Sequence, residues 1–412
     1  MKTNEITGAL SHIKVLDLSR ILAGPWCTQN LADMGADVIK VERPDMGDDT
    51  RSWGPPWIQD GHGRDTEDSA FFASANRNKR SITINITTKE GQELIREMAK
   101  NCDVFIENYK HGDLKRYGLD FDALIAINPR LIYCSITGFG QDGPYADKPG
   151  YDFIFQGLAG IMSLTGERDD LPGGGPQKVG IAISDIMTGM YATIAILSAL
   201  QYRTVSGSGQ YIDMSLLDST VAIGSNQAIS YLLTGKVPKR MGNAHASVVP
   251  YHAFAATDGH VIVTVGNNTQ WKKYCEVIEL PYLAEDSRFN TPSLRIINRD
   301  ELVPIIALSM QRHSCSYWLE KLESAGVPCG PINNYKQVFE DPQVLHRNLR
   351  IDIPRALGGT VPSLASPLQL VDTPPSYRLA PPMLGEHTNS ILQEILGKSE
   401  IEITQLRKKG VI

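Results

Sequence analysis

The stretch Ile13-Lys-Val-Leu-Asp-Leu-Ser-Arg-Ile-Leu-Ala-Gly-Pro25-Trp-Cys-Thr-Gln-Asn-Leu-Ala-Asp-Met-Gly35-Ala-Asp37-Val-Ile-Lys-Val-Glu42 contains a complete strand–helix–strand unit. Residues 13–18 have the short apolar make-up of a buried strand, Pro25 opens a helix that ends near Gly35, and residues 37–42 form the next strand. A helical crossover between neighbouring strands implies a parallel pair. The pattern then repeats. Residues 81–86 read as a strand and residues 88–101 as a helix, with Thr88 and Glu90 suited to its first turn. Residues 104–107 and 131–136 supply two more strands. The fold class expected is α/β, a doubly wound, Rossmann-like large domain.

A different texture begins after Ser206-Gly-Ser-Gly209. Residues 251–265 read as two strands joined at Asp258-Gly259, a hairpin signal, and helices follow around 268–280, 299–310 and 317–324. This is a smaller α+β unit. From Gly330 the chain reads as a return path, with Pro374, Pro375, Pro381 and Pro382 marking an extended crossing before a helix near 388–396. The expected division is 1–205 for the first part of the large domain, 225–328 for the small domain, and 329–412 for the return linker and last part of the large domain.

Composition narrows the function. A chain of 412 residues suits two domains, and 42% hydrophobic with 21% charged residues is ordinary for a globular protein. A net charge of -6 gives no electrostatic reason to bind nucleic acid or an anionic membrane, so an anionic ligand needs a local cluster of cations. No apolar window approaches a bilayer span, and Met1-Lys-Thr-Asn-Glu-Ile-Thr7 lacks the core of a signal peptide. The six cysteines show no Cys-x-x-Cys pair and the nine histidines are dispersed. The expectation is a cytoplasmic protein with buried free thiols and no metal.

One segment carries reactive chemistry. In Lys178-Val-Gly-Ile-Ala-Ile-Ser-Asp185-Ile-Met-Thr-Gly189, residues 179–183 read as a short buried segment, and residues 190–200 are apolar on every face, as in a buried helix. Asp185 therefore sits where a helix begins and is expected to stay ionised at the positive end of its dipole, either as a cap or as a nucleophile. Asp152, in Gly150-Tyr-Asp152-Phe-Ile-Phe-Gln156, opens another apolar helix, and capping is its default role. Gly138-Phe-Gly140-Gln-Asp-Gly143 matches the dinucleotide glycine pattern, but Pro144 and Pro149 force a loop where a helix is needed, which argues against a nicotinamide cofactor. Arg20, Lys40, Arg43, Arg77, Lys79, Arg80, Lys110, Lys115 and Arg116 recur near strand ends and favour a polyanionic ligand, with Arg43 placed to grip a phosphate. The loops Leu171-Pro-Gly-Gly-Gly-Pro176 and Arg240-Met-Gly-Asn-Ala-His245 are either connections or lids.

From residues 15–19 to Pro382-Met-Leu-Gly-Glu-His387-Thr the chain resembles the class III coenzyme A transferases, the family of formyl-CoA and carnitine-CoA transferases. The resemblance is carried by Leu22-Ala-Gly-Pro25, Gly35-Ala-Asp-Val-Ile-Lys-Val-Glu-Arg43, Asn78-Lys-Arg-Ser81, Asp103-Val-Phe-Ile-Glu-Asn108 and Gly326-Val-Pro-Cys-Gly-Pro331. It implies that Asp185, in Gly180-Ile-Ala-Ile-Ser-Asp185, is the nucleophile. It implies CoA contacts at Arg20, Ile21, Ala23, Arg43, Ile84 within the third strand, Asn108, Tyr109, Arg116 and Tyr117. Gly242, Asn243, Ala244 and His245 are similar in place to the family's glycine-rich loop, though poorer in glycine. Leu22 stands where the formyl-CoA enzymes carry glutamine, which argues against an oxalate-sized acceptor. The racemases of the same fold use a Gly-His-Asp motif, and here Gly150-Tyr151-Asp152 lacks the histidine.

The resemblance implies acyl transfer through an aspartyl mixed anhydride and an aspartyl-CoA thioester, with CoA thioesters and carboxylic acids as substrates and an interlocked homodimer as the assembly. Arg51-Ser-Trp-Gly-Pro-Pro56, residues 244–251 and Gly266-Asn-Asn-Thr-Gln270 look closest to the succinyl-CoA:glutarate branch. The acceptor's distal carboxylate then needs a cation, and Arg51, Arg77 and His245 are the candidates. An acyl-CoA racemase and a non-catalytic nucleotide-binding protein are the alternatives.

Overall fold

The computed structural model describes residues 8–412. They fall into two compact units, a large one of residues 8–161, 179–233 and 343–412, and a small one of residues 162–178 and 234–342.

The large unit is built on a six-stranded sheet formed by β1 (Lys14–Asp17), β2 (Asp37–Glu42), β3 (Lys79–Thr83), β4 (Val104–Glu107), β5 (Ile132–Thr137) and β6 (Tyr211–Ser215). The order is β3-β2-β1-β4-β5-β6, and every pair is parallel. Strands β4 and β5 are buried along their whole length, as the continuous apolar runs of a parallel sheet require. The edge strand β6 escaped the sequence reading, because Tyr-Ile-Asp-Met-Ser is short, partly exposed and interrupted by an acid.

Helix α1 (Ala23–Asp33) begins two residues before Pro25 and packs on one face of the sheet, with Ala23, Cys27 and Leu31 in its core. Helix α2 (Lys89–Ala99), capped by Thr88 as the sequence suggested, packs on the other face through Leu94, Ile95 and Met98. The C-terminal helices Thr388–Leu396 and Glu400–Lys408 cover that second face through Ile391, Leu392 and Ile403. The chain thus leaves β1 toward one face and β4 toward the other, through Leu114, Leu119 and Leu124. The carboxyl ends of β1 and β4 flank the topological switch point, where α/β sheets bind ligands.

The 24-residue helix α4 (Ile183–Ser206) crosses α1. Gly189 makes the crossing possible, since a Cβ there would lie 2.6 Å from the Ala23 carbonyl oxygen. Contrary to the sequence expectation, α4 is long and apolar enough to span a bilayer. Nor is it buried all round: Ala192, Ile196 and Ala199 pack inward, whereas Ile194 and Tyr202 are exposed.

The small unit holds the antiparallel strands β7 (Tyr251–Ala255), β8 (His260–Thr264) and β9 (Cys329–Pro331), with the expected hairpin between β7 and β8. Trp271, Tyr274, Phe289 and Trp318 fill its core. Arg295, fully buried, donates to the carbonyls of Val249 and Phe289 and to Asn268. The unit boundaries differ from the expected 1–205, 225–328 and 329–412. Residues 162–178 leave the large domain because their partners are distant in sequence, as in the bond from Gly242 N to Gly166 O (3.2 Å). Residues 329–342 stay with the small unit because β9 pairs with β8.

Candidate active site

At the switch point, the loop after β1 is held in a strained shape. Ile21 has φ 70°, a left-handed backbone that β-branched residues rarely adopt. Neighbours fix it from both sides. Asn108, just after β4, accepts from Arg20 N (2.8 Å) and donates to Arg20 O (2.7 Å), so one amide side chain replaces a strand partner. Asp48 accepts from Ile21 N (3.2 Å) and pairs with Lys40 Nζ (2.9 Å), and Lys40 also donates to Ser19 O (3.0 Å). The Lys40 and Asp48 side chains are both fully buried.

Arg20 and Arg43 converge on one carboxylate. Asp49 accepts from Arg20 Nη1 (2.8 Å) and from Arg43 Nη2 (2.9 Å), while the buried Nε of each arginine has no partner. Arg20 also lies over the Tyr109 ring, 5.7 Å from its centroid. The fold therefore gathers Arg20, Ile21, Arg43, Asn108 and Tyr109. Ala23 and Ile84 are placed differently, with side chains buried in the core, and Ile84 lies just beyond β3 and not within it. Arg116 stacks on Tyr117 (4.7 Å) and pairs with Asp113 (3.4 Å) on a separate short turn.

Most of the other cations serve the fold. Lys40 and Lys79 are buried, and Lys79 pairs with Asp17 while burial draws its amine down to about 8. Arg80 is tied to Asp37 and Glu394. Arg51 and Arg77, expected near substrate, are also structural. Arg51 grips Glu42 through Nε (2.8 Å) and Nη2 (2.7 Å), reaches Asp68 (2.5 Å) and stacks on Phe72 (3.7 Å). Arg77 makes a two-pronged pair with Asp33 (3.0 and 2.5 Å). Both guanidinium groups are buried and already matched with carboxylates.

Asp185 stands in the first turn of α4, as the sequence placed it. The preceding residues 179–182 form a loop with Gly180 and Ile181 exposed, and Ile183 already belongs to α4, so 179–183 is not the buried segment expected. What holds this loop is polar. Helix α3 (Asp152–Leu158) presents Asp152 and Gln156 on one face. Asp152 Oδ1 accepts from Ser184 N (2.7 Å), so this acid caps α4 and not its own helix. Asp152 Oδ2 accepts from Gln156 Nε2 (2.7 Å), and Gln156 Oε1 accepts from Val179 N (2.8 Å). Tyr151, one residue before α3, is exposed.

The electrostatics reverse one expectation. Burial first, and then the charge of Asp152, push the Asp185 carboxyl up to about 7, so the helix dipole does not keep it a strong acid. Ser184 beside it is buried, and its hydroxyl has no hydrogen-bond partner. A carboxylate of raised basicity at a helix amino end, without an ion pair among the described residues, can attack a carbonyl carbon.

In the small unit, the loop of residues 240–245 meets the residues just before the other loop singled out in the sequence, residues 171–176. Arg240 pairs with Asp169, and Gly242 N bonds to Gly166 O. Gly242 and Asn243 form an exposed turn, and Ala244 and His245 line a cavity of about 550 Å³ together with Glu167, His252 and Arg299. His245 Nδ1 accepts from Ser247 N (3.0 Å). Arg299 donates to the carbonyls of His245 (3.2 Å) and Ala246 (2.8 Å) and forms no ion pair with the described residues. The sequence reading missed Asp48, Asp49, Gln156 and Arg299. Only Gln156 left a trace, in its i, i+4 spacing from Asp152.

A model of CoA-transferase family III matches residues 10–388. The chain belongs to that family. Among its relatives in this family, succinate–glutarate CoA-transferase of Agrobacterium fabrum is 45% identical over 386 residues, spanning 94% of this chain and 95% of the relative. The succinyl-CoA:glutarate CoA-transferase of Homo sapiens is 42% identical over 403 residues, spanning 98% and 90%. The crystal structure of a CAIB/BAIF family protein from Brucella suis superposes with a TM-score of 0.84 at 48% identity, covering 94% of this chain and 100% of that one. The chain is thus a family III CoA-transferase.

Proposed function

We propose that this enzyme moves CoA from succinyl-CoA to a dicarboxylic acid such as glutarate, with Asp185 as nucleophile. The reading rests chiefly on the Asp185 carboxylate at the amino end of α4, raised to about 7 and without an ion pair among the described residues. It is supported by two relatives, at 45% and 42% identity, named for succinate or succinyl-CoA and glutarate.

The Asp185 oxygen attacks the donor thioester carbon, the C–S bond breaks, and CoA leaves as thiolate. The thiolate then attacks the Asp185 carbonyl of the anhydride, releasing succinate and forming an aspartyl-CoA thioester. The acceptor carboxylate attacks that thioester and again expels thiolate. Attack of this thiolate on the acceptor's carbonyl forms the new acyl-CoA and restores the Asp185 carboxylate. One thioester replaces another, so no net proton is consumed and no nucleotide triphosphate is needed.

Arg20 and Arg43 bind CoA phosphate, with Ile21, Asn108 and Tyr109 shaping the crevice, and Arg116 and Tyr117 extend the contact. Of the cations expected at the acceptor's distal carboxylate, Arg51 and Arg77 are already matched with carboxylates within the large unit. The exposed apolar residues Phe153, Leu158, Ile194, Leu232 and Leu233 support a homodimer in which a second copy covers them. The six free thiols suit a reducing cytoplasm.

The test is mass spectrometry of enzyme quenched during turnover with succinyl-CoA, with hydroxylamine trapping and an acceptor screen. A hydroxamate on the Asp185 peptide, and loss of transfer by several orders of magnitude in Asp185→Ala, are expected. Labelling elsewhere, or activity kept in that variant, refutes the assignment.

A further inference from the structure

We propose that Gln156 is a positioning residue for the reaction, the group that sets where the nucleophile-bearing loop lies against α3. This rests on the reading of Asp185 as nucleophile.

Gln156 is fully buried, and its amide is used on both sides. Its Oε1 accepts from Val179 N (2.8 Å), and its Nε2 donates to Ile181 O (3.3 Å) and to Asp152 Oδ2 (2.7 Å). The other oxygen of Asp152 takes Ser184 N (2.7 Å). Two side chains one helical turn apart therefore hold the backbone at 179, 181 and 184, three of the seven residues before the nucleophile. Gly180 and Ile181 are exposed, and among the described residues no strand pairs with them.

The chemistry of the amide is specific to the task. The site needs an acceptor for one backbone N–H and donors for a carbonyl and a carboxylate, and a single planar amide supplies both. Glutamate has the same shape but, when ionised, only accepts, and would face Asp152 with a like charge. Leucine fills the volume and makes none of the bonds. The seat of α3 is itself rigid: Phe155 is fully buried, and a Cβ at Gly138 or Gly150 would lie 2.9 or 2.3 Å from its Cζ. The helix that carries Gln156 is thus fixed against the sheet side of the large unit, and the loop is registered to it.

Displacing a nucleophile by about 1 Å costs on the order of a hundredfold in rate. For Gln156→Leu, kcat is expected to fall about a hundredfold while KM for the acyl-CoA stays within about threefold, because the phosphate-binding arginines are untouched. Gln156→Glu separates positioning from simple loss of stability. Once protonated, its carboxyl regains a donor for Asp152, so the ratio of variant to wild-type kcat is expected to rise as pH falls from about 8 to about 5.5.

The deciding experiment is steady-state kinetics of both variants across pH, with circular dichroism to verify folding and mass spectrometry of the trapped aspartyl adduct. Label on Asp185 in wild type, with about hundredfold slower labelling in Gln156→Leu, supports the proposal. Labelling of Gln156→Leu at the wild-type rate, or a pH-independent ratio for Gln156→Glu, overturns it while leaving the nucleophile assignment standing. Absence of label on Asp185 in wild type overturns the nucleophile and this inference together. If Gln156→Leu does not fold, the pH ratio of Gln156→Glu decides alone.

Discussion

Asp152 Oδ1 lies 2.7 Å from Ser184 N, so an acid from one helix closes the amino end of another, one residue before Asp185. The geometry has two consequences of opposite sign. The hydrogen bond fixes the start of α4, and the charge of Asp152 opposes ionisation of Asp185. An asparagine at 152 keeps an acceptor for Ser184 N and removes the charge. In Asp152→Asn the acidic limb of the kcat/KM profile is expected to move to lower pH, raising the variant-to-wild-type ratio below about pH 7. A limb that does not move means Asp152 contributes no field at Asp185.

The raised carboxyl of Asp185 also costs stability. Its carboxyl is pushed up to about 7 in the folded chain against 3.8 for a free aspartate side chain, so the folded state binds the proton more tightly. Stability from this group is present below about pH 4 and is lost as pH rises through about 7. Above that point Asp185→Asn should stabilise the protein by roughly 2 to 4 kcal/mol, with no difference near pH 4. Thermal melts of both proteins at about pH 4 and pH 8 test this, and equal melting temperatures at the higher pH would refute it.

Arg51 should behave as a structural residue. Removing it leaves Glu42 and Asp68 buried without their common partner, at a cost of about 3–5 kcal/mol. Arg51→Met is expected to lower the urea midpoint of the large unit markedly. An unchanged midpoint with a raised KM for the acceptor would instead restore Arg51 to the substrate site.

Arg43 should behave in the opposite way. It is half-exposed and, among the described residues, pairs with Asp49 and its own turn while its Nε has no partner. Arg43→Ala is expected to raise KM for succinyl-CoA about tenfold or more, through loss of charge-assisted bonds to phosphate, with little change in kcat or melting temperature. Unchanged KM would remove Arg43 from the CoA crevice.

The large unit was legible wherever its signal was local. The first strand–helix–strand unit, the Thr88 cap and the Asp258-Gly259 hairpin all depend on residues a few positions apart. Asp185 was legible for the same reason, since the start of a helix is a local pattern. What the sequence could not convey was the pairing of charges. Arg77 meets Asp33 from 44 residues away, and Lys79 meets Asp17 from 62, so cations that read as a ligand cluster turned out to be neutralised within the fold. The ionisation of Asp185 misled in the same way, because the helix dipole is local, whereas burial and the field of Asp152 come from chain folded around it. Strand β6 and the place of residues 162–178 were missed because both are defined by remote partners.

The left-handed turn at Ile21 bears on the proposed binding of CoA. Asn108, Asp48 and Lys40 already hold that turn, so under the proposed reading a nucleotide arriving there loses little affinity to ordering it. It follows that loosening any one of those three clamps should show first as faster escape of acyl-CoA, well before the sheet beneath begins to melt.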